Sequence, residues 1–285
     1  MIVIDSFCQL AIMKFLHIIN EGDNTLIHDT YHFSIEEGDL PYNDIVILVG
    51  KMVLNYTCSK TAVRLSHYDK IFNYLEATVF GQFFGHYALF ADLPCCNFGI
   101  TFQPTAWYKL FGRNMLALKN NAIPLKELDQ KFYDQIIPIY QCYEVSDCQN
   151  QSLKEFNDRI IPFIHGQELF IDINTKRIDK AIEIIESKQG KLKVSELLEE
   201  IPYSQKALES NFKKIVGLTP GQYIRQCRFV NLIRSYQNGA MEIKQLIDVY
   251  NYYDKSHFAK DLNFFTGKSL SEFFKADHQL IKQYI

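Results

Sequence analysis

The chain of 285 residues is long enough for about two domains, since globular domains most often contain about 100–200 residues. Its apolar share of 47% and charged share of 22% are those of a globular protein and exclude wholesale disorder. No apolar run approaches the roughly 18 residues of a membrane span, and the first residues lack a basic start and a cleavage site. Seven cysteines without a CxxC pair indicate reduced thiols. We therefore predict a cytoplasmic protein without a membrane partner.

The net charge of −3 conceals two regions of opposite sign. Residues 1–174 contain 12 Lys+Arg and 20 Asp+Glu, whereas residues 175–285 contain 18 and 13. The carboxy-terminal region therefore carries a net charge of +5. A basic region of this kind suggests a polyanionic partner, although a solvated lysine-rich face gives the same count.

The first hundred residues contain short runs of β-branched and aromatic residues separated by Gly and Pro, which predict strands. These runs cover residues 45–49, 52–58, 78–84, 87–90 and 98–102. From Thr105 to about Ile164 the apolar spacing becomes helical. We predict an α+β domain over residues 1–174, β-rich with helices at its carboxy-terminal end.

Two features of this first region suggest chemistry. His28 and His32 flank Asp29, but a strand would hold the two imidazoles far apart, so metal binding is the less favoured interpretation. Cys95 and Cys96 are adjacent and suit either a thiol sensor or, preferably, buried small side chains. Many aromatic rings predict a core in which some line a small-molecule pocket. No catalytic motif occurs, so we predict no enzyme activity, no catalytic or metal-binding residues and no cofactor.

An internal repeat with a period of 50 residues lies in the basic region. Leu208, Phe212, Ile215, Gly217, Thr219 and Tyr223 correspond to Phe258, Leu262, Phe265, Gly267, Ser269 and Phe273. Apolar residues match apolar residues, glycine matches glycine, and a hydroxyl matches a hydroxyl. The region from 175 to 285 therefore predicts an all-α domain with two copies of one structural unit.

The sequence of each copy predicts two helices joined by a tight turn. The turns contain Pro202 and Asn251, and the second helices begin after the capping residues Ser204 and Asp254. Glycine ends both second helices. A long helix over residues 220–236 joins the two copies. This is the pattern of paired helix-turn-helix units, whose second helices can enter successive major grooves about 34 Å apart.

The ends of these second helices resemble the AraC/XylS family of bacterial transcription regulators. The resemblance is carried by residues 212–224 (FKKIVGLTPGQYI) with Arg228, and by residues 252–258 (YYDKSHF) and 265–273 (FTGKSLSEF). It covers about residues 176–276. It implies two DNA-reading subdomains in one chain and an amino-terminal domain that senses a signal or dimerises.

The sequence departs from the family pattern in both turns. Leu198 and Pro202 stand where the family usually has Ala and Gly, and Asn251 stands where it usually has Gly. Asn tolerates the left-handed backbone conformation that such a turn requires. Residues 99–104 (GITFQP) resemble the close of a β-rich amino-terminal domain found in some members of the family.

Base-facing positions lie in the first turns of a recognition helix. In the first unit they are Gln205, Lys206, Glu209 and Ser210, and in the second unit Lys255, Ser256, Ala259 and Lys260. Phosphate binding or a structural role at the surface is predicted for Lys213, Lys214, Arg225, Arg228 and Lys268. Lys can donate to guanine, Gln can pair with adenine and Glu can accept from cytosine. The alternative for each lysine is a solvated helix face.

These patterns predict a sequence-specific DNA-binding transcription regulator that reads two successive major grooves and is modulated through its amino-terminal domain. The predicted partner is double-stranded DNA. Further candidate partners are a small-molecule effector in the amino-terminal domain, a second copy of the chain and, for an activator, RNA polymerase. Two alternatives stand beside this interpretation: a protein–protein interaction module with a degenerate DNA-binding domain, and a metal- or thiol-based sensor.

Overall fold

A computed structural model describes residues 13–20, 26–47, 50–58, 62–143, 150–239, 241–276, 278 and 281. The strands in this part of the chain are β1 (Met13–Ile19), β2 (Ile27–Ile35), β3 (Tyr42–Val46), β4 (Met52–Thr57), β5 (Val63–His67), β6 (Lys70–Tyr74), β7 (Glu76–Phe80), β8 (Tyr87–Ala91), β9 (Cys95–Phe102) and β10 (Ala122–Pro124).

The helices follow the strands in the chain. They are α1 (Ala106–Phe111), α2 (Leu125–Leu128), α3 (Gln130–Gln141), α4 (Asn150–His165), α5 (Ile173–Ser187), α6 (Val194–Glu200), α7 (Gln205–Val216), α8 (Pro220–Gln237), α9 (Ile243–Val249), α10 (Lys255–Thr266) and α11 (Leu270–Phe273). A 3-10 turn, Met115–Leu118, precedes β10. Among these helices none is both long enough and apolar enough to cross a membrane.

Two antiparallel sheets enclose the core of the first region. One has the strand order β1-β2-β9-β4-β7-β10 and the other has the order β3-β8-β5-β6. Alternate residues of β2 point in opposite directions: Tyr31 and Phe33 join the apolar cluster between the sheets, while Thr30 hydrogen-bonds to Asn157 of α4. Because both faces of β2 are covered, nearly the whole strand is buried. The predicted β-rich domain with helices at its end is therefore confirmed.

The predicted strands agree with β3, β4, β7, β8 and β9 to within a few residues, although residues 48 and 49 of the first prediction lie outside the described residues. The sequence did not indicate the hairpin of β5 and β6. Its strands are half exposed, and its turn contains no glycine, because Tyr68 itself adopts a left-handed conformation with φ 50°. With an aromatic residue at its left-handed position, the turn is marked in the sequence only by Asp69, which is a weak signal.

A shared core joins the two regions. The cluster on the outer face of the first sheet continues through α1, α3 and α4 into α5 and α7. At this junction the Nζ atom of Lys109 lies 2.9 Å from a carboxylate oxygen of Asp179 on α5. Helix α5 begins at Ile173 after the capping residue Asp172, so the expected boundary at 174 falls in its first turn.

The carboxy-terminal region consists of α5 to α11. Each second helix of the repeat, α7 and α10, packs on the long helix α8 through aromatic rings: Phe212 contacts Tyr223, and Phe229 contacts both Phe258 and Phe265. The all-α arrangement with two helix-turn-helix units and a long connecting helix is as predicted.

Candidate DNA-binding interface

The first helix-turn-helix unit consists of α6 and α7. The Ser204 hydroxyl accepts a hydrogen bond from the Ala207 N–H at 3.3 Å, which caps the start of α7. The helix ends at Gly217, whose φ of 91° is left-handed and favours glycine. Between these ends α7 buries Leu208 and Phe212 and turns its opposite face to solvent.

The predicted base-facing residues of this unit lie on the outer side of α7. Gln205, Lys206 and Ser210 are exposed, and Glu209 is half-buried. The Gln205 amide donates to the Glu209 carboxylate at 3.2 Å, one helical turn away. This bond uses one N–H of the Gln205 amide and one oxygen of Glu209. The second N–H and the carbonyl oxygen of Gln205 are the pair of groups that adenine recognition requires.

The second unit, α9 and α10, repeats this plan. The Asp254 carboxylate accepts from the His257 N–H at 2.7 Å, and Gly267 ends α10 with φ 70°. Lys255, Ser256 and Lys260 are exposed and Ala259 is half-buried. His257 lies in the first turn of α10, where its Nδ1 accepts from the Tyr253 N–H at 3.4 Å. Two lysines and no carboxylate therefore occupy the predicted reading positions of this unit.

A buried ion-pair network in the second unit was not predicted. Asp261 of α10 accepts from Arg225 Nε at 2.9 Å and from the Tyr252 hydroxyl at 3.0 Å. A nitrogen of Arg228 lies 3.7 Å from the same carboxylate. Burial, and then Asp261, raises the pKa of Tyr252, which keeps its hydroxyl protonated as a donor. Arg225 and Arg228 therefore pair with Asp261 in this structure, which is a structural role, while phosphate binding by either arginine stays a prediction.

This network left a weak signal in the sequence. Arg225 and Arg228 are three residues apart on α8, which places them on one face, and Asp261 adjoins the apolar stripe of α10. An acid beside an apolar stripe requires a cation, but the sequence alone does not show which helix supplies it.

The remaining predicted phosphate-binding residues lie near the ends of α7 and α10. Lys213 and Lys268 are half-buried, while Lys214 is exposed and lies over the ring of Tyr108 at 5.5 Å. Burial, and then the charge of Lys213, lowers the pKa of Lys119 in the first region. Two lysines therefore adjoin each other where α7 meets the first region.

The predicted chemical sites of the first region do not assemble a metal centre. His28 Nδ1 lies 2.6 Å from the Asp29 carboxylate, whereas His32 Nε2 lies 3.2 Å from the Cys96 sulfur. Within the described residues no group of three metal-ligating side chains comes together. Burial raises the pKa of Cys95 to about 11, so its thiol stays protonated at neutral pH.

A small cavity of about 50 Å³ lies between the two sheets. Its walls are formed by Tyr31, Phe33, Val46, Val53, Asn55, Leu65, Tyr74, Phe80, Tyr87 and Leu89. The Asn55 side chain accepts from the Tyr31 hydroxyl at 3.0 Å and donates to Asn97 at 2.9 Å. The cavity is thus mainly aromatic and aliphatic, with one amide and three phenols, a composition that suits a small, mostly apolar molecule.

Comparison with known proteins identifies the carboxy-terminal region. Residues 197–276 match a family model described as a helix-turn-helix domain. ToxT from Vibrio cholerae in its unsaturated fatty acid-bound form aligns over 89% of this chain and 96% of its own, at 13% identity and a TM-score of 0.47. ToxT from Vibrio cholerae O395 aligns over 86% and 96%, at 12% identity and a TM-score of 0.47. The AraC-like transcriptional activator CuxR aligns over 84% and 82%, at 13% identity and a TM-score of 0.25. No curated protein sequence matches.

Proposed function

We propose that the chain is a DNA-binding transcription regulator whose helix-turn-helix domain is of the AraC type, and that its two units read two successive major grooves of one duplex. The observation that carries the proposal is the repeat itself. Recognition helices α7 and α10 have matched caps at Ser204 and Asp254 and matched glycine ends. Both also pack on the same helix, α8, which joins the two readers in one domain.

The two reading surfaces have different chemistry. Lys255 and Lys260 can contact guanine or phosphate, with Ser256 and Ala259 between them, whereas Gln205 in the first unit is bound to Glu209. We expect the second unit to supply most of the electrostatic attraction. The first unit adds base discrimination through Lys206, Ser210 and the Gln205–Glu209 pair. We expect Lys213 to bind phosphate at the far end of α7.

Selection of bound sequences from a random duplex library, with the full chain, tests this proposal. We expect a split motif whose half-sites lie about 10 bp apart, and an affinity that falls with salt. A single short half-site would show that one unit alone reads bases. Selection without any motif, together with binding that does not respond to salt, would favour the protein–protein interaction module and refute the proposal.

We further propose that the cavity between the sheets binds the effector that modulates DNA binding. Its support is the convergence of the Asn55 amide and of the Tyr31, Tyr74 and Tyr87 side chains on an otherwise apolar space. Thermal unfolding of the full chain against a library of small neutral aromatic and aliphatic molecules tests this. We expect a binder to raise the Tm of the wild type but not of Asn55→Leu. An equal rise in both proteins would place the binding elsewhere.

A further inference from the structure

We propose that residues 81–86 of the first region, between β7 and β8, act as a wedge that sets the separation of recognition helices α7 and α10. The proposal rests on the proposed reading of two grooves, because that separation fixes the spacing of the half-sites. The wedge touches the ends of both recognition helices and the helix that joins them. Its residues are therefore positioning residues for DNA reading, although they belong to the other region of the molecule.

One end of the wedge contacts the first unit. A Cβ atom added at Gly217 would lie 3.5 Å from Cγ of Gln82 and 3.0 Å from the carbonyl oxygen of Met115. The Gln82 amide donates to the Gly50 carbonyl at 2.7 Å, and its side chain is buried. The end of α7 thus lies against a residue that the first region holds firmly.

The other end of the wedge contacts the second unit in the corresponding place. A Cβ atom added at Gly267 would lie 3.0 Å from Nε2 of His86. Nδ1 of His86 is 3.3 Å from the carbonyl oxygen of Phe264, within hydrogen-bond distance. The Phe84 ring packs against Phe264 at 5.0 Å and against Phe265 at 5.7 Å. Gly217 and Gly267 are equivalent positions of the repeat, so the wedge meets the same feature of both units.

The middle of the wedge contacts the connecting helix. The Gln226 side chain of α8 donates to the Phe83 carbonyl at 3.2 Å, and both residues are buried. Arg225, the neighbour of Gln226, lies over the Phe84 ring at 5.7 Å while it also binds Asp261. A shift of the wedge would therefore change the contacts of α7, α8 and α10 together.

The wedge also connects to the cavity between the sheets. Phe80 and Tyr87, the residues that flank it, both line that cavity. The Phe83 ring is buried in the same cluster, 4.8 Å from the Tyr87 ring. A molecule that displaces these rings would move the segment that separates the recognition helices, which gives the cavity a direct physical route to the reading surfaces.

The first test of the wedge measures which separation of the two half-sites the protein prefers. The full chain is offered duplexes that carry both selected half-sites separated by spacers of different lengths. We expect the wild type to prefer one spacing near 10 bp, and Phe84→Ala with His86→Ala to accept several spacings. The variant should keep the wild-type affinity for a duplex with one half-site. Phe90→Ala is the matched control, because Phe90 is also half-buried and lies on β8, outside the apolar clusters shared with the helices. An unchanged spacing preference in a folded variant would overturn the proposal.

A distance measurement tests the wedge independently of DNA. Azido amino acids introduced at the exposed positions 206 and 256 carry one spin label each. Pulsed electron paramagnetic resonance then measures the distance between α7 and α10. We expect a narrow distribution in the wild type and a broader one in the variant, with Phe84→Leu as the milder change should the double variant fail to fold. Identical distributions would overturn the wedge. Failure of the wild type to bind DNA would instead refute the proposed function and leave this measurement decisive for the wedge.

Discussion

The two helix-turn-helix units share one backbone plan but are held in place by different forces. In the second unit, buried Asp261 ties α10 to α8 through two arginines. The equivalent position in the first unit is Asn211, whose amide donates to the Ala207 carbonyl of its own helix at 2.9 Å. The two copies of the repeat therefore share their capping residues and terminal glycines, whereas the side chains that orient each recognition helix differ.

The first unit is held instead by the apolar core that it shares with the amino-terminal region, to which α7 contributes Leu208, Phe212 and Ile215. Two hydrogen bonds beside this core fix the start of the connecting helix α8. Lys119 donates to the Gln222 side chain at 3.0 Å, and the Tyr223 hydroxyl donates to Glu186 of α5 at 2.7 Å. Tyr223 also lies directly against Gly50 of the first region. The first unit is therefore built into the core of the molecule, whereas the second is attached through an ion-pair network and the wedge.

Removal of the buried Asp261 carboxylate should give the largest difference in stability between the two units. We expect Asp261→Ala to lower the free energy of unfolding by about 3 kcal/mol, because the partly buried arginines lose their counter-charge. Asn211→Ala, the matched change in the first unit, should cost no more than about 1 kcal/mol. Chemical denaturation of the full chain measures both. Equal losses would mean that the network does not distinguish the units.

Removal of the predicted DNA-contacting lysines should weaken DNA binding more in the second unit than in the first. We expect Lys255→Ala with Lys260→Ala to weaken binding about 30-fold at 0.15 M salt, with a salt slope shallower by about 0.9 per lost phosphate contact. Lys206→Ala in the first unit should cost only about fivefold. Fluorescence anisotropy with the selected duplex over a range of salt concentrations measures these effects. Wild-type affinity of the double variant at every salt concentration would show that these lysines belong to a solvated face.

The capping residues should give smaller and more similar effects. We expect Ser204→Ala and Asp254→Ala each to lower the free energy of unfolding by about 1 kcal/mol, since each leaves a helix N–H without its acceptor. Asp254→Ala should cost slightly more, because its charge also favours the helix start by roughly 0.3–1 kcal/mol. Ser204→Asp is the control and should retain the wild-type stability. A loss in one unit only would show that the two caps are not equivalent.

The turn residues should give the smallest difference. Asn251 adopts φ 57°, a conformation that costs alanine roughly 1–2 kcal/mol, so Asn251→Ala should destabilise by about 1 kcal/mol. Pro202→Ala should cost only about 0.4–1 kcal/mol, mainly through the unfolded chain. Thermal unfolding distinguishes the two, with Asn251→Gly as the control that keeps the left-handed turn. A more harmful Pro202→Ala would mean that the first turn carries the greater strain.

Local features of the second region could be predicted from the sequence, because caps and glycine ends are set by neighbouring residues. Ser204, Asp254, Gly217 and Gly267 occupy the predicted positions for this reason. Partners distant in the chain could not be predicted. Asp261 meets Arg225 from another helix, so the network depends on how α8 and α10 pack, a relation that no short sequence pattern contains.

The same limit applies between the regions. The sequence suggested two domains divided near residue 174, and nothing in it indicated that residues 81–86 would lie between the helix-turn-helix units. The fold class was predictable because alternation of apolar residues repeats along each strand. Which strand connection contacts which helix depends on the surface shapes of two folded regions. This contact could therefore be seen only in the structure.

The apolar cluster of the second unit includes Ile45 of β3 and Ile47, which follows that strand, together with Phe273 and Ile281. These side chains therefore meet only after the ribosome has synthesised the chain from Ile45 to Ile281. At roughly 5–20 residues per second, a ribosome takes tens of seconds to bridge that interval. During this time Ile45 and Ile47 lack part of their apolar cover, so we expect a chain that ends before Phe273 to aggregate more readily than the full chain.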